Sequence, residues 1–238
     1  MINSPTDLQF EEKNLNVNNL TEVVLCENYL TLIYSNRNLH IISLNSSSNK
    51  IKPDLFHGLK RLKSLYIYKA FKEFDQFDPQ MLQELDDLKL LHIYENPLSS
   101  LDTCNLFSKL QNLKEIKLCS NKLKSIDSHI FSGLVNLVTI DLSRNKIKSL
   151  YAKQFAGLTN LKTIILSRNK LESIPVDLFK GLVSLTHIYL NNNLLRNLTY
   201  ESFDELTNLQ EINIYNNPLV IDSNHLKLKK SVKLILNF

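Results

Sequence analysis

The chain has 238 residues, 43% of them hydrophobic and 22% charged, with a formal net charge of +4. That content supports a buried core and excludes a disordered polymer, and the mild positive balance lacks the clustered Lys/Arg footprint of a dedicated nucleic-acid binder. Glycine is reduced to 4 residues, tryptophan is absent and only 3 cysteines occur, while Leu, Ile and Asn abound, the profile of a short repeated unit.

In chain order, residues 1–19 carry no basic stretch followed by an apolar one, so no secretory leader is read there. They are expected to form an N-terminal cap segment that covers the first repeat by ordinary packing. From Leu20 the chain is periodic. Looser copies open at Leu20, Leu39, Leu62 and Leu88, and then Leu113 opens LKEIKLCSNKLKSI, Leu137 LVTIDLSRNKIKSL, Leu161 LKTIILSRNKLESI and Leu185 LTHIYLNNNLLRNL, at a period of 24. A last copy, LQEINIYNNPL, opens at Leu209, making nine copies over residues 20–219. Repeat three runs to 26 residues through KAFKEFDQFDPQMLQELDD, and this irregularity is read either as drift or as extra loop carrying function. Residues 220–238 are expected to be a C-terminal cap segment, its tail LKLKKSVKLILNF supplying a final strand or a short helix. No apolar run is long enough to span a membrane, so no membrane insertion is expected.

Each copy fits L-x-x-L-x-L-x-x-N-x-L. The alternating L-x-L segment is a short strand with leucines on one face and variable residues on the other. One unit cannot bury its apolar face alone, so the copies must stack, each strand pairing in parallel with the next. The recurring asparagines, Asn28, Asn96, Asn121, Asn145, Asn169, Asn193 and Asn217, both donate and accept, and are read as a structural ladder satisfying turn backbone groups. Ser47 and Ala70 replace the asparagine in repeats two and three. Phe56, Phe107, Phe131, Phe155, Phe179 and Phe203, with Leu82 in repeat three, read as a stacked spine on the opposite side.

This pattern resembles the leucine-rich-repeat family, specifically its 24-residue class found in ectodomains of Toll-like receptors and related matrix proteins. The resemblance implies an α/β-type repeat solenoid, a curved horseshoe with a parallel concave β-sheet and an irregular or short-helical convex side. Extracellular members close their ends with cysteine-rich modules, whereas here Ile221 and Ser223 stand where the first two cysteines of a C-terminal cap belong. Cys26, Cys104 and Cys119 form no paired motif, which favours a reducing, cytoplasmic setting, with an extracellular one as the alternative should a leader have been removed. The sequons at Asn19, Asn45 and Asn197 decide nothing in a chain this rich in Asn, Ser and Thr.

A protein partner on the concave face is the expected function. Lys63, Tyr66, Tyr68 and Lys69 of repeat three, Lys89, His92, Tyr94 and Glu95 of repeat four and Lys114, Glu115, Lys117 and Cys119 of repeat five compose a basic and aromatic patch. Of these, Tyr66, Tyr68, Lys69, Lys89, His92, Tyr94 and Lys117 are the candidate contacts, joined by Tyr189 and Tyr215, near His187, at the other end. Tyrosine gives large contact area with few rotors, although it is also simply a good residue for an exposed sheet. The recurring Lys122, Lys146 and Lys170, with Lys124 and Lys148, are read as a solvated rim. Alternatives are a ligand-binding ectodomain fragment of a receptor and a substrate-recruiting subunit of an enzyme complex. No nucleophile, metal or phosphate-loop motif is present, so neither catalysis, cofactor, metal nor nucleic acid is expected. A Cys119–His92 pairing across strands is read as a chance neighbourhood.

Overall fold

The computed structural model describes residues 22–25, 39–45, 52, 54–71, 77–101, 106–219 and 231–236. Ten strands follow one another: β1 (Glu22–Leu25), β2 (Ile41–Asn45), β3 (Ser64–Tyr68), β4 (Leu90–Tyr94), β5 (Glu115–Lys117), β6 (Thr139–Asp141), β7 (Thr163–Ile165), β8 (His187–Tyr189), β9 (Glu211–Asn213) and β10 (Lys233–Ile235). They form a single parallel sheet in sequence order, each strand bonded to the one before and the one after. The tail thus contributes a strand rather than a helix: Lys233 pairs with Glu211 and Ile235 with Asn213. Asn28, Ser47, Cys26, Cys104, Ile221, Ser223 and the N-terminal 19 residues lie outside the described residues.

Register follows from the alternating pattern. The second residue of each strand from β3 to β9, Leu65, Leu91, Ile116, Ile140, Ile164, Ile188 and Ile212, is fully buried, and register pairs it with the next. A slip of one residue would turn this row to solvent. The flanking residues face outward and are half-buried in most strands.

On the far side of the core the chain returns through turns and 3-10 helices, at Pro79–Leu82, Val176–Phe179 and Tyr200–Phe203 among the described residues. The first begins because Asp78 accepts a hydrogen bond from the Gln80 N–H at 2.8 Å and Pro79 needs no donor partner. Here the phenylalanine rings stack: Phe107 on Phe131 at 6.4 Å, Phe131 on Phe155 at 5.8 Å and Phe179 on Phe203 at 5.8 Å between centroids. Strands in a sheet sit about 4.8 Å apart. The wider aromatic step on one side and the narrower strand step on the other bend the stack, so the sheet lines its inner, concave side.

The chain leaves each strand through the asparagine ladder. Asn145 donates to the Leu118, Leu142 and Ser143 carbonyls at 2.9, 2.9 and 3.2 Å, and its Oδ1 accepts from the Leu123 N–H at 3.1 Å. Asn169, Asn193 and Asn217 repeat this geometry, each accepting from Ile147, Leu171 and Leu195 in turn. Where Ala70 replaces the asparagine, Asn96 of the next repeat accepts from the Ala70 and Phe71 N–H groups at 2.8 and 3.1 Å. The residue just before the ladder position, which is Ala70 in repeat three and an asparagine in the other six, is left-handed in seven consecutive repeats, from Lys69 (φ 47) to Asn216 (φ 55).

Candidate functional site

The concave face of β3, β4 and β5 carries aromatic pairs fixed by strand register. Tyr66 lies opposite His92 and Tyr68 opposite Tyr94. Tyr66 and His92 meet edge to face at 4.8 Å, while Tyr68 and Tyr94 stack at 4.9 Å. Such cross-strand contacts restrict the orientation of each ring. The Lys69 ammonium sits 4.8 Å over the Tyr68 ring and 3.3 Å from Glu95, whose carboxylate also accepts from the Tyr68 hydroxyl at 3.4 Å.

Beside the rings, Glu115 Oε1 lies 2.7 Å from both His92 Nε2 and Lys117 Nζ. Burial pushes the Glu115 carboxyl up, but its bonds and charge contacts with Lys117 and His92 outweigh that and hold it below the ordinary value. His92 is pushed down, first by burial and then by the Lys117 charge, against the opposing pull of Glu115. Burial also raises the Tyr94 hydroxyl. Two of the candidate lysines are therefore matched by acids, Lys69 by Glu95 and Lys117 by Glu115, and the patch is charge-balanced at its centre. Lys63, Lys89 and Lys114 remain exposed along its upstream edge.

Tyr189 and Tyr215 stand apart from this group. Tyr189 on β8 is half-buried, with the His187 ring at 6.3 Å, and Tyr215 is 52% exposed just beyond β9. Four strand steps, about 19 Å at the usual spacing, separate β8 from β4, and the row between them passes through Lys117, Asp141 and Ile165. The nine candidates thus divide into a compact group of seven and a distant pair.

Cys119 follows β5 and is half-buried. Burial, then the charge of Asp141, pushes its thiol up to about 11, so it stays protonated at neutral pH, while the His92 ring nitrogen Nε2 is engaged by Glu115. Among the described residues no group of three or more His, Cys, Asp or Glu could hold a metal ion. Two cavities of about 260 Å³ each open between convex turns, one at His57, Gln80 and Glu84 and one at Asp177, Glu201 and Glu205; neither reaches the sheet.

A second asparagine ladder escaped the sequence reading. Asn112, Asn136, Asn160 and Asn208 donate to the Asp86, Gln111, Val135 and Val183 carbonyls of the preceding turn at 2.8 to 3.0 Å. Its signal was available, since Asn recurs immediately before the leucine that opens repeats five, six, seven and nine.

The family described as leucine rich repeat matches residues 111–171 and 159–219, and the BspA-type leucine rich repeat region matches residues 10–99. No curated protein sequence matches the chain. Among solved structures, a leucine-rich-repeat protein of Leptospira interrogans superposes with a TM-score of 0.71 at 21% identity, over 91% of this chain and 60% of that one. TLR13, solved as a complex with ssRNA13, gives 0.66 at 23% identity, over 84% of this chain and 33% of TLR13. Internalin C2 of Listeria monocytogenes gives 0.59 at 22%, over 76% and 73%. The chain spans only about a third of TLR13 and 60% of the Leptospira protein.

Proposed function

Because the chain belongs to the leucine-rich-repeat family, we propose that it is a protein-interaction module whose partner seats on the concave face of β3 to β5. Leucine-rich repeats commonly serve protein binding, and the observation that carries the reading to this place is the pair of ring contacts, Tyr66 with His92 and Tyr68 with Tyr94. Rings already restricted in orientation lose little freedom on binding, which is why tyrosine anchors interfaces. Lys69 and Lys117, tied to Glu95 and Glu115, supply polar contacts of both signs around the rings. Lys89 lies at the upstream edge, and Tyr189 and Tyr215 offer a second contact to a partner long enough to span four strands.

No reaction is assigned to the molecule. The protonated Cys119 thiol and the engagement of His92 with Glu115 support a binding role over nucleophilic chemistry. A second reading, a ligand-binding ectodomain fragment, is favoured by the likeness to a third of TLR13. A leader upstream or a membrane span downstream in the full reading frame would select it.

The test is affinity capture from the native source with the wild type and with Tyr68→Ala/Tyr94→Ala, the bound protein being identified and its affinity measured. Loss of at least about tenfold in affinity with an unchanged circular dichroism spectrum is expected, in line with aromatic hot spots. An unchanged affinity would remove the site from this face.

A further inference from the structure

The modest net charge hides a segregation. Residues 106–175 carry twelve Lys and Arg against four Asp and Glu, leaving sixteen against twenty in the rest of the chain. Much of the excess falls in register. Lys122, Lys146 and Lys170 directly follow the ladder asparagine in three successive repeats, and Lys124 and Lys148 follow two residues later. All five are exposed, and none forms an ion pair among the described residues. Across the matching positions of repeats five to eight, Glu172 is the one acid.

Equivalent residues of neighbouring repeats lie about 5 Å apart at the sheet spacing. Like charges stacked at that distance repel, so the free protein keeps an arrangement that a bound polyanion would relieve. The residue before the asparagine adds to it. Arg144 and Arg168 are left-handed there, at φ 55 and 57, where Asn192 and Asn216 occupy the same conformation in the next two repeats. The left-handed turn accepts charged and neutral residues alike, Lys69, Glu95 and Ser120 among them, and in repeats six and seven it carries a cation next to each ridge lysine.

We propose that this ridge, at the downstream ends of β5 to β7, docks an acidic polypeptide segment. The Arg144 and Arg168 N–H groups donate to the Ser167 and Asn191 carbonyls of the next repeat at 2.9 Å, continuing the sheet's ladder into the ridge. A protein lying on the concave face reaches the ridge without leaving the molecule. Single-stranded nucleic acid is disfavoured because stacking of successive bases calls for successive aromatic platforms, and among the described residues the strongly exposed large aromatics are Tyr151 and Tyr215 alone, which make no row in repeats five to seven. That the occupant is a polypeptide rests on the concave-face reading; that the ridge takes an anion does not.

The test is fluorescence anisotropy of a labelled oligoglutamate against the folded chain at ~0.15 M salt, where surface charge is already screened beyond ~8 Å. Saturable binding is expected, weakening as salt rises. Lys146→Glu/Lys170→Glu should bind at least ~10-fold more weakly, as reversal at a charged contact does. Lys52→Glu/Lys60→Glu, with an equal change of charge at exposed positions outside repeats five to seven, should stay within about twofold on the same basis. Tyr68→Ala/Tyr94→Ala should bind oligoglutamate as the wild type does, so a failure at the concave face and a failure at the ridge are told apart. Absence of saturable binding, equal loss in the Lys52/Lys60 variant, or tighter binding of an oligothymidylate of equal charge would overturn the proposal.

Discussion

Asn145 makes four hydrogen bonds in a site that excludes water, while Asn136 makes one at the surface. Truncating the first strands a buried N–H and several carbonyls, each costing about 1–3 kcal/mol, whereas the groups freed by truncating the second are taken up by solvent. Asn145→Ala is therefore expected to lose about 3 kcal/mol or more and Asn136→Ala about 1 kcal/mol or less, read from urea denaturation midpoints. The inner ladder was legible in the sequence because burial leaves so few residue types able to satisfy both turn donors and acceptors. The left-handed row was not legible. Its occupants include Lys69, Glu95, Ser120, Arg144 and Arg168, and no residue preference betrays a conformation that the ladder around it imposes. Gln154 is another residue that sequence alone passes over: it is buried, bonds the Asp127 carbonyl at 2.7 Å and leaves its Oε1 without a partner.

Strands of three residues are too short to persist alone, and each is held by its two neighbours and by the core row beneath it. Opposite the sheet the phenylalanines set the outer spacing, and Phe131, stacked on both Phe107 and Phe155, joins three repeats. Phe131→Ala removes a buried ring in a region that cannot collapse without changing the bend. It is expected to destabilise by about 3–5 kcal/mol, measured by chemical denaturation. The period, the strand positions and the identity of the spine could be read from the order of Leu, Asn and Phe, since periodic burial dictates all three. Strand length could not. Where Asp141 accepts from the Ser143 N–H at 2.8 Å, the strand ends at Asp141, whereas β3 and β4 run on to Tyr68 and Tyr94. Those added residues bring the two tyrosines face to face.

Among the described residues the contacts between elements run between successive repeats, so the stack is held as a chain of neighbours. Titration at one interface is then felt by the units on either side. His92, which faces Tyr66, Glu115, Lys117 and Asp141, takes its proton less readily folded than unfolded, so acidification below its ordinary 6.5 favours the unfolded chain. Glu115, held below its ordinary 4.5, contributes stability that is present above that value and is lost as pH falls through its folded one. Both effects have the same sign: the urea midpoint should fall as pH is lowered from neutrality, and in His92→Phe the part of that decline beginning near pH 6.5 should flatten. A midpoint independent of pH from neutrality down through 4.5 would show that neither the burial of the neutral His92 ring nor the contacts that keep Glu115 ionised contribute to stability. Sequence by itself determined the repeat, its register, the inner asparagine ladder and the aromatic spine, because a unit that must bury one face and satisfy its own turns has few ways to be written. Only the tertiary structure decided how the outward residues meet. It paired Lys69 and Lys117 with acids, stacked Tyr68 on Tyr94 and set Tyr66 edge to face against His92. Outward positions answer to no packing requirement of a single repeat, and their neighbours exist only once the repeats are stacked.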